Sequence, residues 1–321
     1  MANRKIVLLG TGGTIAGTSS GSGNAFGYTA GQVSVEGLVA SVPLLPRVLA
    51  GRTLVVEQVA QVDSKDMDDA LWRALALRCA HWLAQDDVDG LVITHGTDTL
   101  EETAYFLHAL LAPAKPVVLT CAMRPADALS ADGPQNLLDA VVVACDAAAR
   151  GVSVVCAGVV HGAEAVQKIH TWRLDAFDSG DAGPLAQVAR ATVFWARNPA
   201  PALARYGESA INSIANLSIW PRVEILASHA GARADTVRAL VRDGVQGLIV
   251  AATGNGTLHH ALEPALLEAQ AAGVQVWRAT RCANGGVLPG EASPFPDAGA
   301  LSPVKARIAL QLQLAAVQQV S

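Results

Sequence analysis

Short apolar runs rich in Val, Ile and Leu recur along the chain, and segments with helical periodicity separate them. The runs show little polar alternation, which is typical of strands that are covered on both faces. Strand–helix alternation of this kind predicts an α/β fold with a mostly parallel sheet in layers. The predicted strands are residues 5–10, 53–59, 88–94, 116–121, 152–160, 222–227, 247–253 and 274–279. Apolar side chains three or four residues apart predict a helix through Met67, Leu71, Leu75, Cys79 and Trp82.

The alternation breaks at residues 197–201, and the chain stays polar and irregular to about Ser213. We interpret residues 197–213 as a linker. It separates a larger N-terminal domain, residues 1–196, from a smaller C-terminal α/β domain, residues 214–321. The other predicted helices are residues 100–111, a helix with Pro134 at its first position, and an amphipathic helix from Pro303 to about Val320.

Composition narrows the class of protein. The 321 residues are 51% hydrophobic and 16% charged, so the chain can build a large core and is unlike a disordered chain. The net charge is −5, and Lys and Arg are scattered, which argues against a nucleic-acid partner. No uncharged apolar run reaches the roughly 18 residues that a membrane span needs, so we expect no membrane partner.

Cysteine and histidine usage favours the cytoplasm and gives no support for a metal. The five cysteines form no C-x-x-C pair and have apolar neighbours, which predicts free, buried thiols in a reducing compartment. The eight histidines include no H-E-x-x-H pattern. A predicted strand begins close to Met1, which leaves no room for a signal peptide. We therefore expect a cytoplasmic protein, with a periplasmic mature form behind a new Met1 as the alternative.

Two turns rich in glycine and threonine directly follow predicted strands. Residues 11–17 read Thr-Gly-Gly-Thr-Ile-Ala-Gly, and residues 94–99 read Thr-His-Gly-Thr-Asp-Thr. Parallel strands bring such turns to one edge of the sheet, where ligands bind. Hydroxyls at Thr14 and Thr97, the carboxylate of Asp98 and several backbone N–H donors could then surround one small substrate. This combination favours chemistry on a carbonyl group.

Each of these motifs also has a plainer interpretation. A dinucleotide-binding turn would need glycine at position 15, where the chain has isoleucine, so a nicotinamide site is disfavoured. Thr14 could simply cap a helix, and Asp98 could suit the positive end of a helix dipole. Asp63 or Ser64 could cap the next helix. An isolated lysine such as Lys168 is usually a solvated charge.

Residues 17–24 form a low-complexity segment of mostly glycine and serine. Ordering such a segment has a large entropic cost, so we expect it to be mobile without ligand. It directly follows the first threonine turn, which is where a closing lid would lie.

Residues 11–17 and 93–99 resemble the two motifs that mark the bacterial-type L-asparaginases, the asparaginase/glutaminase family. The similarity runs from about residue 4 to 318, which is nearly the full chain, and two long motifs in register are a specific signal. Further segments fall in the family's order and spacing, at residues 28–31, 122–125, 130–134, 254–256 and 305–307.

The resemblance implies the catalytic groups residue by residue. Thr14 matches the threonine that takes the acyl group of the substrate, and Tyr28 matches the tyrosine that supports it. Thr97, Asp98 and Lys168 match a second triad. A threonine hydroxyl is a poor nucleophile at neutral pH, so a neighbouring group must take its proton. A neutral Lys168 could take that proton through a second hydroxyl, but a nearby Asp98 favours the ammonium form, so the pair could instead orient Thr97. Which hydroxyl acts first stays open.

The resemblance also implies the groups that bind substrate. Positions matching Ser64 and Asp98 hold the α-carboxylate and the α-ammonium. Backbone N–H donors of the second turn and of Ala122 would face the oxyanion. In the family, the smaller domain of a neighbouring subunit completes the site. Asn255 is the candidate for this contribution, and Glu291 lies within one position of a family glutamate that reaches the neighbouring subunit's site. The full set of implied substrate-binding residues is Ser64, Asp63, Thr97, Asp98, Ala122, Asn255 and Glu291.

Lys65 departs from the family pattern. Family members often carry Gln or Glu there, which can accept from the α-ammonium, whereas a lysine ammonium cannot accept and would repel that group if it pointed inward. Either Lys65 turns to solvent, or affinity and the preference between asparagine and glutamine are altered. The cysteine pair of some periplasmic members is also missing, because Gln85 and Pro113 stand at the matching places, and this favours the cytoplasm.

The expected function is hydrolysis of L-asparagine to L-aspartate and ammonia through a covalent acyl-threonine, with no cofactor and no metal. The family implies a homotetramer built from dimers. A broad glutaminase-asparaginase is the main alternative, since one methylene is worth only roughly 1–3 kcal/mol of discrimination. The amidase subunit of a tRNA amidotransferase is disfavoured because the start of the chain leaves no space for an extra domain. A binding protein on the same fold is disfavoured because all the catalytic positions are filled.

Overall fold

The computed structural model describes residues 4–19, 28–197, 199, 211, 214–215, 217, 219–290 and 293–317. The chain divides into two compact units, Met1–Ile211 and Asn212–Ser321. Each unit contains parallel strands and helices, so the predicted α/β class, with a larger N-terminal sheet and a smaller C-terminal one, is confirmed. Most of the predicted linker, residues 197–213, lies outside the described residues, and its boundaries stay a prediction.

The elements of the first unit alternate between strands and helices. Its strands are β1 (Lys5–Gly12), β2 (Thr18–Ser19), β3 (Tyr28–Thr29), β4 (Thr53–Val62), β5 (Val88–Thr94), β6 (Val117–Thr120), β7 (Val152–Cys156), β8 (Val159–Gly162), β9 (Gln167–Lys168), β10 (Phe177–Asp178), β11 (Ala186–Ala189) and β12 (Thr192–Trp195). Its helices are α1 (Val35–Ala40), α2 (Leu45–Leu49), α3 (Asp69–Leu83), α4 (Leu100–Leu111) and α5 (Gly133–Cys145).

The longer strands of this unit form an eight-stranded sheet in the order β12-β11-β8-β7-β6-β5-β1-β4. Neighbours from β7 to β4 are parallel, whereas β8, β11 and β12 extend the sheet in antiparallel fashion. Strand β1 lies between β4 and β5, the two longer strands that follow it in the sequence. The strand order therefore reverses between β1 and β5. Such a reversal opens a crevice outside the carboxyl ends of the strands. The two threonine turns follow these two strands.

The central strands are apolar at nearly every position because both faces of the sheet are covered. Ile6, Leu8 and Val92 pack on one face, in a core that includes α1, α2 and α5. Helices α3 and α4 cover the other face, where Trp72 and Phe106 stack with ring centroids 5.0 Å apart. Burial of these side chains is the main force that holds the carboxyl ends of β1 and β5 in place.

The second unit is a smaller parallel sheet in the order β13-β14-β15. Leu248 and Val250 of the middle strand face one core, and Ile249 faces another that includes the C-terminal helix. The elements are β13 (Val223–Ala227), α6 (Ala234–Arg242), β14 (Gly247–Ala252), α7 (Glu263–Ala271), β15 (Gln275–Thr280) and α8 (Pro303–Val317). Helix α8 begins at Pro303 as predicted, but the amphipathic description is wrong because Lys305 and Gln311 are buried with the apolar side chains.

Two further sequence predictions need correction. The predicted strand 152–160 is a hairpin of β7 and β8, because Ala157 (φ 50°) and Gly158 (φ 75°) turn the chain in left-handed conformations. Helix α5 begins at Gly133, one residue before Pro134. The strands β2, β3, β9, β10, β11 and β12 were not predicted, since runs of two to four residues carry no clear period.

All five cysteines are free, as predicted, but they are not all buried. Cys79, Cys121 and Cys156 are buried, Cys145 is half-buried and Cys282 is exposed. Burial raises the pKa of the Cys145 thiol. Within the part of the chain that the structure describes, no helix has the length and apolarity needed to cross a membrane. The same residues contain no group of three His, Cys, Asp or Glu side chains placed to hold a metal ion.

Candidate active site

The turns that follow β1 and β5 lie directly against each other through glycine backbone. A Cβ atom at Gly13 would fall under 3.0 Å from the backbone of Gly96, and one at Gly96 would fall under 3.0 Å from the side chain of Ser64. Gly13 also has φ 80°, a conformation that L-residues rarely adopt. Only glycine fits at this crossing, so the Thr-Gly-Gly-Thr and Thr-His-Gly-Thr patterns are needed to bring the two turns together.

Thr14 begins the short 3₁₀ helix Thr14–Ala16 and is buried. The cap position of this helix is Gly13, which has no side chain, so the interpretation of Thr14 as the helix cap is wrong. Thr97 and Asp98 are not the cap of α4 either, because that position is Thr99. The hydroxyl of Thr99 instead donates to the carbonyl oxygen of Ser64 at 2.7 Å.

Lys168 joins the second turn from a distant part of the chain. It lies in β9, which pairs with β10 in a two-stranded antiparallel sheet. Its Nζ donates to Thr97 Oγ1 at 2.8 Å and to Asp98 Oδ1 at 2.6 Å. The Thr97 side chain is buried, whereas the Asp98 side chain is 49% exposed. The ammonium is therefore held between a buried hydroxyl and a carboxylate that still faces solvent.

Ser64 connects a third strand end to the second turn. It begins the 3₁₀ helix Ser64–Asp66 directly after β4, and it is 2% exposed. Its Oγ accepts a hydrogen bond from the backbone N–H of Asp98 at 3.1 Å. The turns after β1, β4 and β5 therefore meet at one edge of the sheet, as parallel neighbours require.

Asp63 and Lys65 lie on the outer side of this cluster. The Asp63 carboxylate accepts from the backbone N–H of Lys65 at 3.4 Å and so caps only the short 3₁₀ helix. The predicted cap of the following helix is wrong, because α3 is capped by Asp68, which accepts from the N–H of Leu71 at 2.8 Å. The Lys65 side chain is 59% exposed, bonds to the Asp66 carboxylate and lies 3.8 Å from Asp63 Oδ2. The lysine turns toward solvent, which is the first of the two outcomes that the sequence left open.

Ala122 lies behind the Thr14 turn. It follows β6 and is fully buried, and a Cβ atom on Gly133 would meet Ile15 Cγ1 at 2.9 Å and Ala122 Cβ at 3.5 Å. The two residues after Ala122 are held by Asp132, whose carboxylate accepts from the N–H groups of Met123 at 2.9 Å and Arg124 at 3.0 Å.

Tyr28 lies in β3, which pairs with β2 so that Ser19 stands opposite Tyr28. The residues between these strands, 20–27, lie outside the described residues, as does most of the predicted lid. Strand β2 is anchored by Asp127, whose carboxylate accepts from the Ser19 N–H at 2.9 Å and from its hydroxyl at 2.9 Å. These bonds lower the pKa of the Asp127 carboxyl.

Sequence reasoning gave no role to His95, which the structure places at the base of the second turn. Trp72 Nε1 donates to Thr103 Oγ1 at 2.9 Å, and that hydroxyl lies 3.0 Å from His95 Nε2. The other ring nitrogen, Nδ1, lies 2.8 Å from the carbonyl oxygen of Gly96. Burial lowers the pKa of His95 to about 4, so the ring is neutral at pH 7. If the hydrogen of the neutral ring is on Nδ1, this nitrogen donates to the Gly96 carbonyl oxygen and Nε2 accepts from the Thr103 hydroxyl. Each hydrogen bond in the series then has one donor and one acceptor.

Asn255 and Glu291 belong to the second unit. The Asn255 side chain closes a loop within that unit, since its Oδ1 accepts from the N–H of Leu288 at 2.7 Å. Glu291 lies outside the described residues. The implied roles of both residues at a neighbouring subunit's site stay predictions.

Comparison with known proteins places the chain in a family. The family described as "Asparaginase, N-terminal" matches residues 5–201, and "Glutaminase/Asparaginase C-terminal domain" matches residues 222–320. The chain is 38% identical over 314 residues to "L-asparaginase 2" of Bacillus subtilis (strain 168), covering 96% of this chain and 82% of that protein. It is 37% identical over 321 residues to "Glutaminase-asparaginase" of Pseudomonas fluorescens biotype A, covering 98% and 87%.

A solved structure shows the same fold. It is titled "Crystal Structure of Probable Cytoplasmic L-asparaginase from Campylobacter jejuni" and superposes with a TM-score of 0.88 at 36% identity, covering 97% of this chain and 95% of that one. The chain belongs to the asparaginase family of hydrolases. The resemblance seen in the two threonine motifs is confirmed.

Proposed function

We propose that the chain hydrolyses the side-chain amide of L-asparagine to L-aspartate and ammonia through a covalent acyl intermediate on Thr14. The observation that carries the proposal is the contact of Lys168 Nζ with both Thr97 Oγ1 (2.8 Å) and Asp98 Oδ1 (2.6 Å), in a turn packed against the Thr14 turn. The names of the relatives agree with this activity.

In the proposed reaction, the Thr14 hydroxyl oxygen attacks the amide carbonyl carbon and its proton is transferred to the amide nitrogen. The carbon–nitrogen bond then breaks, which releases ammonia and leaves the acyl group as an ester on Thr14. Water then hydrolyses the ester and restores the hydroxyl. Tyr28 supports Thr14, as the family resemblance implies. Lys168, held by Asp98, orients the Thr97 hydroxyl for proton transfer during these steps. Backbone N–H groups of the second turn and of Ala122 face the oxyanion.

Selection of an α-amino acid rests on Ser64 and Asp98, with Asp63 at the outer edge. Because Ser64 Oγ accepts from the Asp98 N–H, its own hydrogen is left to donate to the substrate's α-carboxylate. Only one Asp98 oxygen contacts Lys168, and the half-exposed carboxylate can also accept from the α-ammonium. Together these contacts favour amino acids over simple amides.

A second candidate is a broad glutaminase-asparaginase. Relatives with that name are about as similar to this chain as those named for asparagine alone. A pocket discriminates one methylene by only roughly 1–3 kcal/mol. We further propose a cytoplasmic homotetramer in which Asn255 and Glu291 of one subunit approach the site of another.

Ammonia release by the full chain tests the proposal. The Thr14→Ala variant should lose activity by about 10³-fold or more, as removal of a nucleophile does. Thr14→Ser keeps a hydroxyl and should retain measurable turnover. Thr192→Ala, at an exposed position of β12, is the matched control and should keep the parent rate. The ratio of kcat/KM for L-asparagine and L-glutamine decides between the two candidates. A Thr14→Ala variant with the parent rate would overturn the proposal.

A further inference from the structure

A cavity of about 290 Å³ lies in the first unit among residues that the proposed reaction does not use. Gly151 and Val152 at the start of β7 line it, together with the turn that follows β8. Because β8 is antiparallel to β7, with Gly162 opposite Ser153, that turn returns to the start of β7. The cavity therefore lies at the amino ends of the parallel strands, on the edge of the sheet opposite the threonine turns.

Two arginines line this cavity and are held in place by main-chain carbonyls. Arg150 Nη1 donates to the carbonyl oxygens of Ala147 at 2.8 Å and Ala149 at 2.6 Å. Arg197 Nη2 donates to the carbonyl oxygen of Gly183 at 2.7 Å. Among residues that the structure describes, neither guanidinium forms an ion pair with a carboxylate. Each is fixed by one nitrogen and keeps further N–H groups for an anion.

The cavity lining carries a net positive charge, because it contains two arginines and one acidic residue. Glu164 is the acidic residue in its lining, and its Oε1 lies 3.7 Å from His108 Nε2. Within the described residues, the buried Nδ1 of His108 has no hydrogen-bond partner. Because this nitrogen is buried, the attraction of the cavity for an anion rests on the two arginines.

We propose that this cavity binds a small dianion, either a short dicarboxylate or inorganic phosphate. Two anchored guanidinium groups match two negative charges, and planar guanidinium groups pair with carboxylate or phosphate oxygens in a bidentate manner. The volume of about 290 Å³ lies just below the usual range for ligand pockets, roughly 300–1,000 Å³, which fits a ligand of few atoms. Leu185 and Val152 supply apolar walls.

The cavity adjoins the two elements that bring the active-site charges together. Glu164 lies in the segment that leads to Lys168, and His108 lies on α4, which begins directly after the turn that carries Asp98. These elements meet at the His108–Glu164 contact. The site is nevertheless separate from the proposed reaction, and its occupancy can be measured without turnover.

Calorimetric titration of the full chain tests the site, with inorganic phosphate, L-aspartate and succinate as separate probes. We expect one site per chain for at least one probe. Arg150→Gln and Arg197→Gln should each weaken binding by about tenfold or more, because each removes a charge-assisted hydrogen bond to the anion. Arg47→Gln makes the same charge change at an exposed position of α2 and should leave the affinity unchanged.

A second kind of variant guards against loss of binding through misfolding. Ala182 is exposed at the cavity lining, so Ala182→Glu adds a repelling carboxylate while both arginines stay in place. This variant should also lose binding, with an unchanged unfolding transition. Binding of succinate but not phosphate identifies a dicarboxylate site, at which L-aspartate should bind more weakly because its ammonium cancels one negative charge. Binding of phosphate alone identifies a phosphate site. No binding of any probe at millimolar concentration, or binding that survives all three cavity substitutions, would overturn the inference.

Discussion

The turns after β1 and β5 have similar sequences but are held in place by different means. The Thr14 turn is positioned by close backbone contact, since Gly13 leaves room for no side chain where it meets Gly96. The Thr97 turn is positioned by side chains, with Lys168 on its hydroxyl and Ser64 on the backbone N–H that follows.

This difference suggests different roles for Thr14 and Thr97, although the sequences around them are similar. A turn set by backbone packing keeps a hydroxyl in a fixed place, which suits a nucleophile. A turn set by a lysine and a carboxylate holds its hydroxyl inside a charged network, which suits proton transfer. Substitutions in the turns and at the side chains that contact them can break or sharpen this contrast. Among the further variants below, the largest effect is expected at Lys168, which contacts the second turn.

Lys168→Gln removes the charge that the second turn depends on. We expect kcat for ammonia release to fall by about 10²–10⁴-fold, as loss of a group that assists proton transfer does. Lys5→Gln is the matched control, because Lys5 pairs with Asp87 rather than with any proposed catalytic residue. Steady-state kinetics on both variants measures the effect, and a Lys168→Gln enzyme within tenfold of the parent would contradict the role given to the lysine.

Gly13→Ala tests the backbone contact that sets the first turn. The new Cβ would clash with the second turn, and the positive φ adds strain, so the free energy of unfolding should fall by about 3–5 kcal/mol. Gly51 has a similar φ of 86°, but a Cβ there would meet nothing within 4 Å, so Gly51→Ala should lose only about 1–2 kcal/mol. Urea unfolding compares the two, and equal losses would show that the packing of the turns is unimportant.

Lowering the pH should reduce the free energy of unfolding through His95, the buried histidine of the second turn. Its pKa is about 4 in the folded chain because of burial, against about 6.5 when unfolded. Between these values the unfolded chain binds a proton that the folded chain does not, so the free energy of unfolding falls as pH drops from about 6.5 to about 4. The contribution reaches about 3 kcal/mol at the acid end.

Unfolding measured at several pH values checks this expectation. His95→Asn lacks the titrating group, so its stability should depend less steeply on pH in that range, although it also loses the bond to Thr103. The same slope in the parent and in His95→Asn would mean that the ring does not resist protonation.

Sequence patterns predicted the sheet well because buried parallel strands are apolar throughout, as in β1 and β5. They also predicted that Thr14 and Thr97 share one edge. Lys168 was found only through family resemblance, since it lies 70 residues beyond Asp98 and no local pattern marks it. The hairpin at Ala157 was missed because an alanine in a left-handed conformation has no sequence signal.

The direction of side chains, and contacts between residues far apart in the sequence, also could not be predicted from local patterns. The direction of the Lys65 side chain could not be predicted from the sequence, because an exposed lysine can pair with either of two nearby carboxylates, Asp63 and Asp66. The chain of bonds from Trp72 through Thr103 to His95 joins residues from two helices and a turn. Such contacts arise only when the helices pack, so no spacing along the chain reveals them.

Lys65→Gln should have the smallest effect. The lysine is exposed and paired with Asp66, and surface ion pairs contribute little, so we expect KM for L-asparagine to change by about threefold or less. Initial-rate measurements over a range of asparagine concentrations check this. A KM that drops tenfold or more would show that the ammonium faces the substrate and repels it.

The most direct test of the account is to find which threonine becomes acylated. A reactive analogue of asparagine that leaves a stable adduct is incubated with the full chain, and the labelled peptide is mapped by mass spectrometry. The account predicts one label per chain on Thr14, and none on Thr14→Ala. A label on Thr97, or one that persists in Thr14→Ala, would contradict it.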